Sequence, residues 1–243
     1  MKGVVLAGGL GTRLQPLTRI TNKHLLPVFD RPMVFYPIQM LVDAGVTDVI
    51  ILTGGNFAGE FLNLIGNGED FGLPHINYAY QSGNGGIAEA LGLCRDFVGD
   101  DKMIVVLGDN ILEQNIKPNV EAFEKQVEGA RIFLKEVEHP WEYGIAETEG
   151  DRITRIIEKP KDPPSNTAVI GVYMYPPDVF EIVDVLEPSG RGELEITDVN
   201  NAYIERGEMM YDHLEGWWLD AGENHESLLQ ASLTVARTRG IVI

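Results

Sequence analysis

Three short runs constrain this chain more than anything else in it: Lys2 to Ala7, Asp48 to Thr53 (DVIILT) and Met103 to Leu107 (MIVVL) are apolar and β-branched without alternation. A strand with one wet face alternates, so unbroken apolarity marks strands buried on both faces, as in a parallel sheet. Between them lie segments with helical spacing: Met33 to Ala44, Phe57 to Ile65, Ile87 to Phe97, and Val120 to Val127 behind Pro118, a residue that suits a first helical turn. The order βαβαβαβα predicts an α/β fold: a doubly wound, mostly parallel, Rossmann-like sheet flanked by helices, with ligands bound beyond the carboxyl ends of the strands. From Ala130 the pieces become shorter, ARIFLKEV, GIAETE, RITRIIEKP and TAVIGVYMY, broken by HPWEY and KPKDPPSN, and a mixed sheet is expected. Asp178 to Leu186, Thr197 to Glu205 and Glu223 to Arg237 read as helices, the last opened by acidic residues that suit its positive dipole end. No low-complexity linker or repeat divides the chain, so residues 1–243 are read as one domain with two halves, 1–129 and 130–243.

Charge narrows the partners. Lys plus Arg number 19 against 37 Asp plus Glu, a net charge of −18, so the general surface repels nucleic-acid backbones and anionic lipid. The single cysteine, Cys94, admits no intrachain disulfide, and no Cys/His spacing suggests zinc; Cys94 itself is read as core on an apolar helical face. With neither a signal-peptide core nor a membrane-length apolar segment, the chain is read as cytoplasmic.

The first strand runs straight into Gly8-Gly9-Leu10-Gly11-Thr12-Arg13, a turn whose backbone can approach an anion and direct several N–H groups at it. It matches neither G-x-G-x-x-G nor the P-loop, and a tight structural turn is the alternative. From Gly11 to Phe29 the acidic chain holds Arg13, Arg19 and Lys23 and no carboxylate before Phe29. A solvated basic face would do the same, yet arginine forks and a lysine point charge are what a polyphosphate needs. Asp109 ends one strand and Asp220 follows Trp217-Trp218-Leu219. Each alone suits a cap or turn, and only together could they hold Mg²⁺. Glu158-Lys159-Pro160 ends a strand with Lys159 expected extended before proline, and Arg191 sits between glycines. No H-E-x-x-H or G-x-S-x-G is present.

Taken in order, LAGGLGTRLQPLT, NKHLLPVFDRPM, GDN at Gly108 to Asn110, Tyr143-Gly144, EKP, RGELEITDVNNAYIERG and WLDAG resemble the sugar-1-phosphate nucleotidylyltransferases, most closely the glucose-1-phosphate thymidylyltransferases, over essentially the whole chain. The resemblance implies a nucleotidyltransferase fold with a nucleotide-side half and a mixed-sheet sugar-binding half. It implies in-line attack of glucose 1-phosphate on the α-phosphorus of dTTP, giving dTDP-glucose and pyrophosphate with Mg²⁺. The nucleophile is already an anionic oxygen, so positioning and charge neutralisation suffice.

By the same resemblance, Arg13 and Lys23 are catalytic. Leu6, Gly8, Gly11, Thr12, Arg13, Lys23, Gln81 and Gly86 bind the nucleotide. Asn110, Gly144, Glu158, Lys159, Val169 and Arg191 bind the sugar phosphate, and Asp109 and Asp220 the metal. The partners implied are dTTP and glucose 1-phosphate, without nucleic acid or membrane, and self-association is left open.

The chain departs from the family in two places. Gln81-Ser82-Gly83-Asn84-Gly85-Gly86 lacks the two prolines of the usual Q-P-x-P-x-G, which predicts a floppier loop and weaker base discrimination. The chain stops at Ile243, short of further helices that in many relatives serve a regulatory nucleotide site and subunit contacts, so feedback control is expected to be missing or altered. A UTP- or CTP-using sister enzyme, and a non-catalytic subunit that senses sugar nucleotides, stand as alternatives.

Overall fold

The computed structural model describes residues 1–242. In chain order its elements are β1 (Lys2–Ala7), β2 (Pro27–Val28), β3 (Arg31–Pro32), α1 (Phe35–Asp43), β4 (Val49–Gly54), α2 (Ala58–Ile65), β5 (Ile76–Gln81), α3 (Ile87–Gly92), α4 (Arg95–Val98), β6 (Met103–Leu107), β7 (Asn110–Leu112) and α5 (Lys117–Lys125). There follow β8 (Ala130–Glu136), β9 (Gly144–Glu149), β10 (Arg152–Glu158), β11 (Thr167–Tyr175), α6 (Val179–Asp184), α7 (Ile196–Glu205), β12 (Met209–His213), β13 (Trp218–Asp220) and α8 (His225–Thr238).

The strands β5, β4, β1 and β6 lie side by side and parallel, with Val5 opposite Ile51 on one side and Val106 on the other. Both faces are covered. Val4, Leu6, Ile50, Leu52 and Val105 point into a core shared with α3, α6 and α7, while Val5, Ala7, Val49, Ile51 and Val106 point into one shared with α1, α2 and α5. That double cover is why the three runs carry no polar alternation. The fourth parallel strand, β5, is different: at the sheet edge, INYAYQ leaves its central residues partly exposed, and it lacks the signature of the other three.

The second half extends the same sheet. Strand β11 pairs antiparallel with β6 through Val172–Tyr175 and with β9 at Ala168, while β8 runs along its other edge. Strands β6 and β9 thus share one edge of β11 and diverge near Gly171, whose backbone faces Leu107 and Asn110 closely enough that an added Cβ would lie 2.7 Å from the leucine. Strand β12 pairs parallel to β8 and β10 antiparallel to β9, so this half is mixed.

Several helix bounds move from expectation, α5 for example spanning Lys117–Lys125 rather than Val120 to Val127, and two further cases show a local cause. The run Ile87 to Phe97 is broken: α3 ends at Gly92 and α4 begins at Arg95, with Cys94 between them, since glycine inside a helix costs about 1 kcal/mol relative to alanine. Cys94 is buried, and burial pushes its thiol up to about 12. Helix α8 starts not at Glu223 but at His225, capped by Asn224, whose side chain accepts from the N–H of Ser227 while Ser227 Oγ accepts in return. Among the described residues no helix is long and apolar enough to cross a membrane.

Tyr173, Tyr175 and Tyr203 stack with ring centroids 6.1 and 5.9 Å apart, and the buried Tyr175 hydroxyl donates to Asn200 Oδ1 at 2.6 Å. Replacing Tyr175 with Phe leaves that amide oxygen without its donor, and a loss of about 1–2 kcal/mol is expected. Urea midpoints of the two proteins measure it, and equal midpoints would count against this bond.

Candidate active site

The carboxyl ends of β1, β4 and β5 converge so tightly that a Cβ on Gly8 would lie 2.9 Å from Gln81 Oε1, and one on Gly54 2.9 Å from the Gln81 carbonyl. From Gly8 the chain turns through Gly11, which adopts the left-handed region (φ 62°) and accepts from Thr18 Oγ1 at 2.8 Å. A side chain there would strike Lys23, with 2.7 Å between the two Cβ atoms. Gly11 therefore seats the turn against the stem of Lys23. The short turn Lys23–Leu25 is capped by Asn22, whose side chain accepts from the N–H of His24 at 2.9 Å.

Lys23 Nζ donates to Asp109 Oδ2 at 2.5 Å, both side chains being largely buried. Burial alone would pull the Lys23 ammonium down, but Asp109 and then Asp220 outweigh it, and its pKa is raised. Burial likewise opposes the Asp109 charge, and the neighbouring Lys23 more than compensates, holding this carboxyl well below the usual range. His24, 4.0 Å from the same carboxylate, is buried; burial and then the Lys23 charge lower its pKa to about 3, so it is neutral.

Asp220 comes to this spot through a two-stranded ribbon. Strand β13 pairs antiparallel with β7, setting Asp220 opposite Asn110, and the N–H of Ala221 donates to the Asp109 carbonyl at 2.9 Å. The chain folds over Asp109 so closely that a Cβ on Gly222 would sit 2.4 Å from its Oδ2. Enclosure and then the Asp109 charge push the Asp220 carboxyl up to about 7. Two enclosed carboxyl groups thus stand near one buried lysine, a shortage of positive charge that a hard divalent cation would make up. Two oxygen donors plus ligand phosphates and water are what Mg²⁺ accepts, and no cluster of three or more ligating side chains exists among the described residues.

These groups line one cavity of about 530 Å³. Leu6, Gly8, Arg13, Lys23, Gln81, Gly86, Asn110, Gly144, Glu158, Lys159, Val169 and Arg191 all line it, as do Asp109 and Asp220. Gly11 and Thr12 do not line it: Gly11 backs onto Lys23, and Thr12 is exposed at the head of the turn Thr12–Leu14, in which Leu14 is buried. Arg19 is likewise outside.

Lys159 departs from the expected extended conformation and holds φ at 43°, in the left-handed region. Its N–H donates to the Tyr143 carbonyl at 3.0 Å, and Pro160 is buried while Lys159 is exposed, so packing of the proline and the continued β9–β10 pairing override the pre-proline preference. Asn110 works mainly as a brace: its Oδ1 accepts from the Gly171 N–H (3.0 Å) and Trp218 Nε1 (2.7 Å), and its Nδ2 donates to Asp109 (3.1 Å).

Several carboxylates and hydroxyls here escape motif reasoning. Arg13 is paired with Glu223, 210 positions away. Glu158 accepts from Thr197 Oγ1 at 2.6 Å, and Arg191 donates to Glu158 and Glu195. Only the i,i+4 spacing of Arg191 and Glu195 offered a signal in the sequence.

The profile of the nucleotidyl transferase family matches residues 2–238. The chain belongs to that family. As a nucleotidyltransferase it is 43% identical over 243 residues to the low-salt glycan biosynthesis nucleotidyltransferase of Haloferax volcanii, covering 99% of this chain and 68% of the relative. It is 42% identical to the glucose-1-phosphate thymidylyltransferase of Neisseria meningitidis, covering 99% and 84%. Among solved structures, a Bacillus anthracis protein provisionally assigned as a glucose-1-phosphate thymidylyltransferase, in complex with sucrose, superposes with a TM-score of 0.92 at 47% identity, covering 100% of this chain and 97% of that one. A UDP-glucose pyrophosphorylase with bound UDP-glucose superposes at 0.83 and 26% identity, covering 98% and 99%.

Proposed function

We propose that this nucleotidyltransferase moves a thymidylyl group from dTTP to α-D-glucose 1-phosphate, giving dTDP-glucose and pyrophosphate with Mg²⁺ as cofactor. The observation that carries the reading is the single cavity lined by four cationic side chains, Arg13, Lys23, Lys159 and Arg191, together with the pair Asp109 and Asp220. The cations suit two phosphorylated reactants, and the carboxylates suit a divalent ion.

In this reading a sugar-phosphate oxygen attacks the α-phosphorus in line as the bond to pyrophosphate breaks, and no protein group needs to become a nucleophile or accept a proton. Arg13 steadies the departing pyrophosphate. Lys23 offsets charge on the reacting phosphates, and Lys159 and Arg191 orient the sugar phosphate. Glu158, held by Thr197, accepts from sugar hydroxyls beside Gly144 and Val169. Gln81 and Gly86 edge the base, and Leu6 packs against the nucleoside. Asp109 and Asp220 would hold Mg²⁺, which would supply positive charge to the phosphates. The names of the relatives above support dTTP and glucose 1-phosphate.

A uridylyl reading has its own support in the likeness to UDP-glucose pyrophosphorylase and in the proline-free Gln81–Gly86 loop. Thymine differs from uracil by one methyl group, which a pocket can exploit by about 10- to 200-fold, and dTTP also lacks the 2′-hydroxyl of UTP. Initial rates of pyrophosphate release with dTTP, UTP, CTP and GTP against glucose 1-phosphate are expected to give dTTP a kcat/KM at least about tenfold above UTP. A reversed order would assign the sister activity, and tight dTTP binding without turnover would assign a sensor.

A further inference from the structure

We propose that Glu195 is a positioning residue that sets the Arg191 guanidinium for the sugar-phosphate dianion, an inference that rests on the reading above. Arg191 stands between Gly190 and Gly192, the latter at φ 75°, on a loop closed by the bond from the Gly192 N–H to the Ser189 carbonyl at 2.8 Å. Such a loop gives a long side chain little direction, and its rotamer freedom must be lost before it can bind.

Glu195 supplies the direction. It stands at the start of α7, but its side chain does not cap that helix. It turns back instead: Oε1 accepts from Ser189 Oγ at 2.7 Å and from Arg191 Nε at 3.0 Å, and Oε2 accepts from Arg191 Nη2 at 2.7 Å. This is a two-point fork on one edge of the guanidinium, and among the described residues Nη1 donates no hydrogen bond. The Glu195 side chain is only 10% exposed, whereas that of Arg191 is 43% exposed, so the buried partner fixes the mobile one. Burial opposes the Glu195 charge, but bonds from Arg191 and Ser189 prevail and lower its pKa, keeping it ionised. Arg191 Nη2 also reaches Glu158 at 3.2 Å, so one guanidinium joins Glu195 to the group proposed to hold the sugar hydroxyls.

A carboxylate that merely stood nearby would repel the incoming dianion, and neutralising it would lower the KM for the sugar phosphate. Positioning predicts the opposite sign. With Glu195→Gln, steady-state kinetics are expected to show the KM for glucose 1-phosphate raised at least about tenfold, the scale of one charge-assisted contact, with the KM for dTTP unmoved. Ser189→Ala, which removes one of the three donors, should raise the same KM by less, and covers the case in which the Gln variant folds poorly. In an Arg191→Ala background, Glu195→Gln should add nothing. A sugar-phosphate KM that is unchanged or lowered, an equal rise in both substrates, or a full additional effect without Arg191 overturns the proposal. Failure of the unsubstituted enzyme to bind or turn over glucose 1-phosphate would overturn the functional reading and this inference with it. Normal turnover with an unmoved KM in the variants would overturn the inference alone.

Discussion

Asp220→Asn is expected to cut turnover at least about a hundredfold, the order lost when one preorganised electrostatic stabiliser is removed, while leaving the ligand-free protein as stable as before or slightly more so. Burial and then the neighbouring Asp109 charge push the Asp220 carboxyl up to about 7. Among the described residues its one hydrogen bond is a 3.3 Å acceptance from the N–H of Gly222. Removing the Asp220 charge relieves repulsion in the empty site. Asp109→Asn should lose as much turnover but carry a different stability signature. Lys23 is left without the partner 2.5 Å away, and breaking a largely buried pair costs about 3 kcal/mol. Denaturant midpoints and initial rates on both variants separate the two roles. Added Mg²⁺ should raise the midpoint of the unsubstituted protein and not that of Asp220→Asn, because only a bound ion stabilises the folded state. Equal destabilisation by both substitutions would make these aspartates structural.

The second large effect is expected at Gly86, where the Gln81–Gly86 loop meets Leu194 just ahead of α7. Gly86 holds φ at 94°, and an added Cβ would sit 2.4 Å from the Leu194 carbonyl oxygen, an atom that also accepts from the N–H of Ala88 at 3.1 Å. Neither the backbone angle nor the neighbouring backbone can yield cheaply. Gly86→Ala should therefore destabilise by about 3 kcal/mol and weaken nucleotide binding by opening the Gln81–Gly86 loop. Urea unfolding and dTTP titration by calorimetry measure the two effects. A variant with wild-type stability and affinity would show that this contact constrains nothing.

How far the sequence was legible follows from what each residue's signal depends on. Strands β1, β4 and β6 were readable because burial on both faces leaves its mark in every residue, whereas edge strand β5 carries a mixed pattern that periodicity cannot separate from loop. The ribbon joining Asp109 to Asp220 was not readable as a pair, since β7 and β13 have three residues each and contact across more than a hundred positions. The conformation of Lys159 reversed a sound local rule because buried Pro160 outweighs it. The Gln81–Gly86 loop shows the same limit: composition suggests freedom, yet its end is tied by the Leu194 N–H donating to the Gly85 carbonyl at 2.8 Å, a tertiary constraint no local pattern contains. Arg13 and Lys23 could be picked out as cations in an acidic chain, but not that each already holds a carboxylate, Glu223 and Asp109.

Direct transfer between two reactants in one cavity is tested most sharply by exchange of labelled pyrophosphate into dTTP in the presence of Mg²⁺, with and without glucose 1-phosphate. Label should enter dTTP when the sugar phosphate is present and not when it is omitted, because no nucleotidyl group is ever carried by the protein. Exchange without the sugar phosphate, or none under either condition, would contradict it.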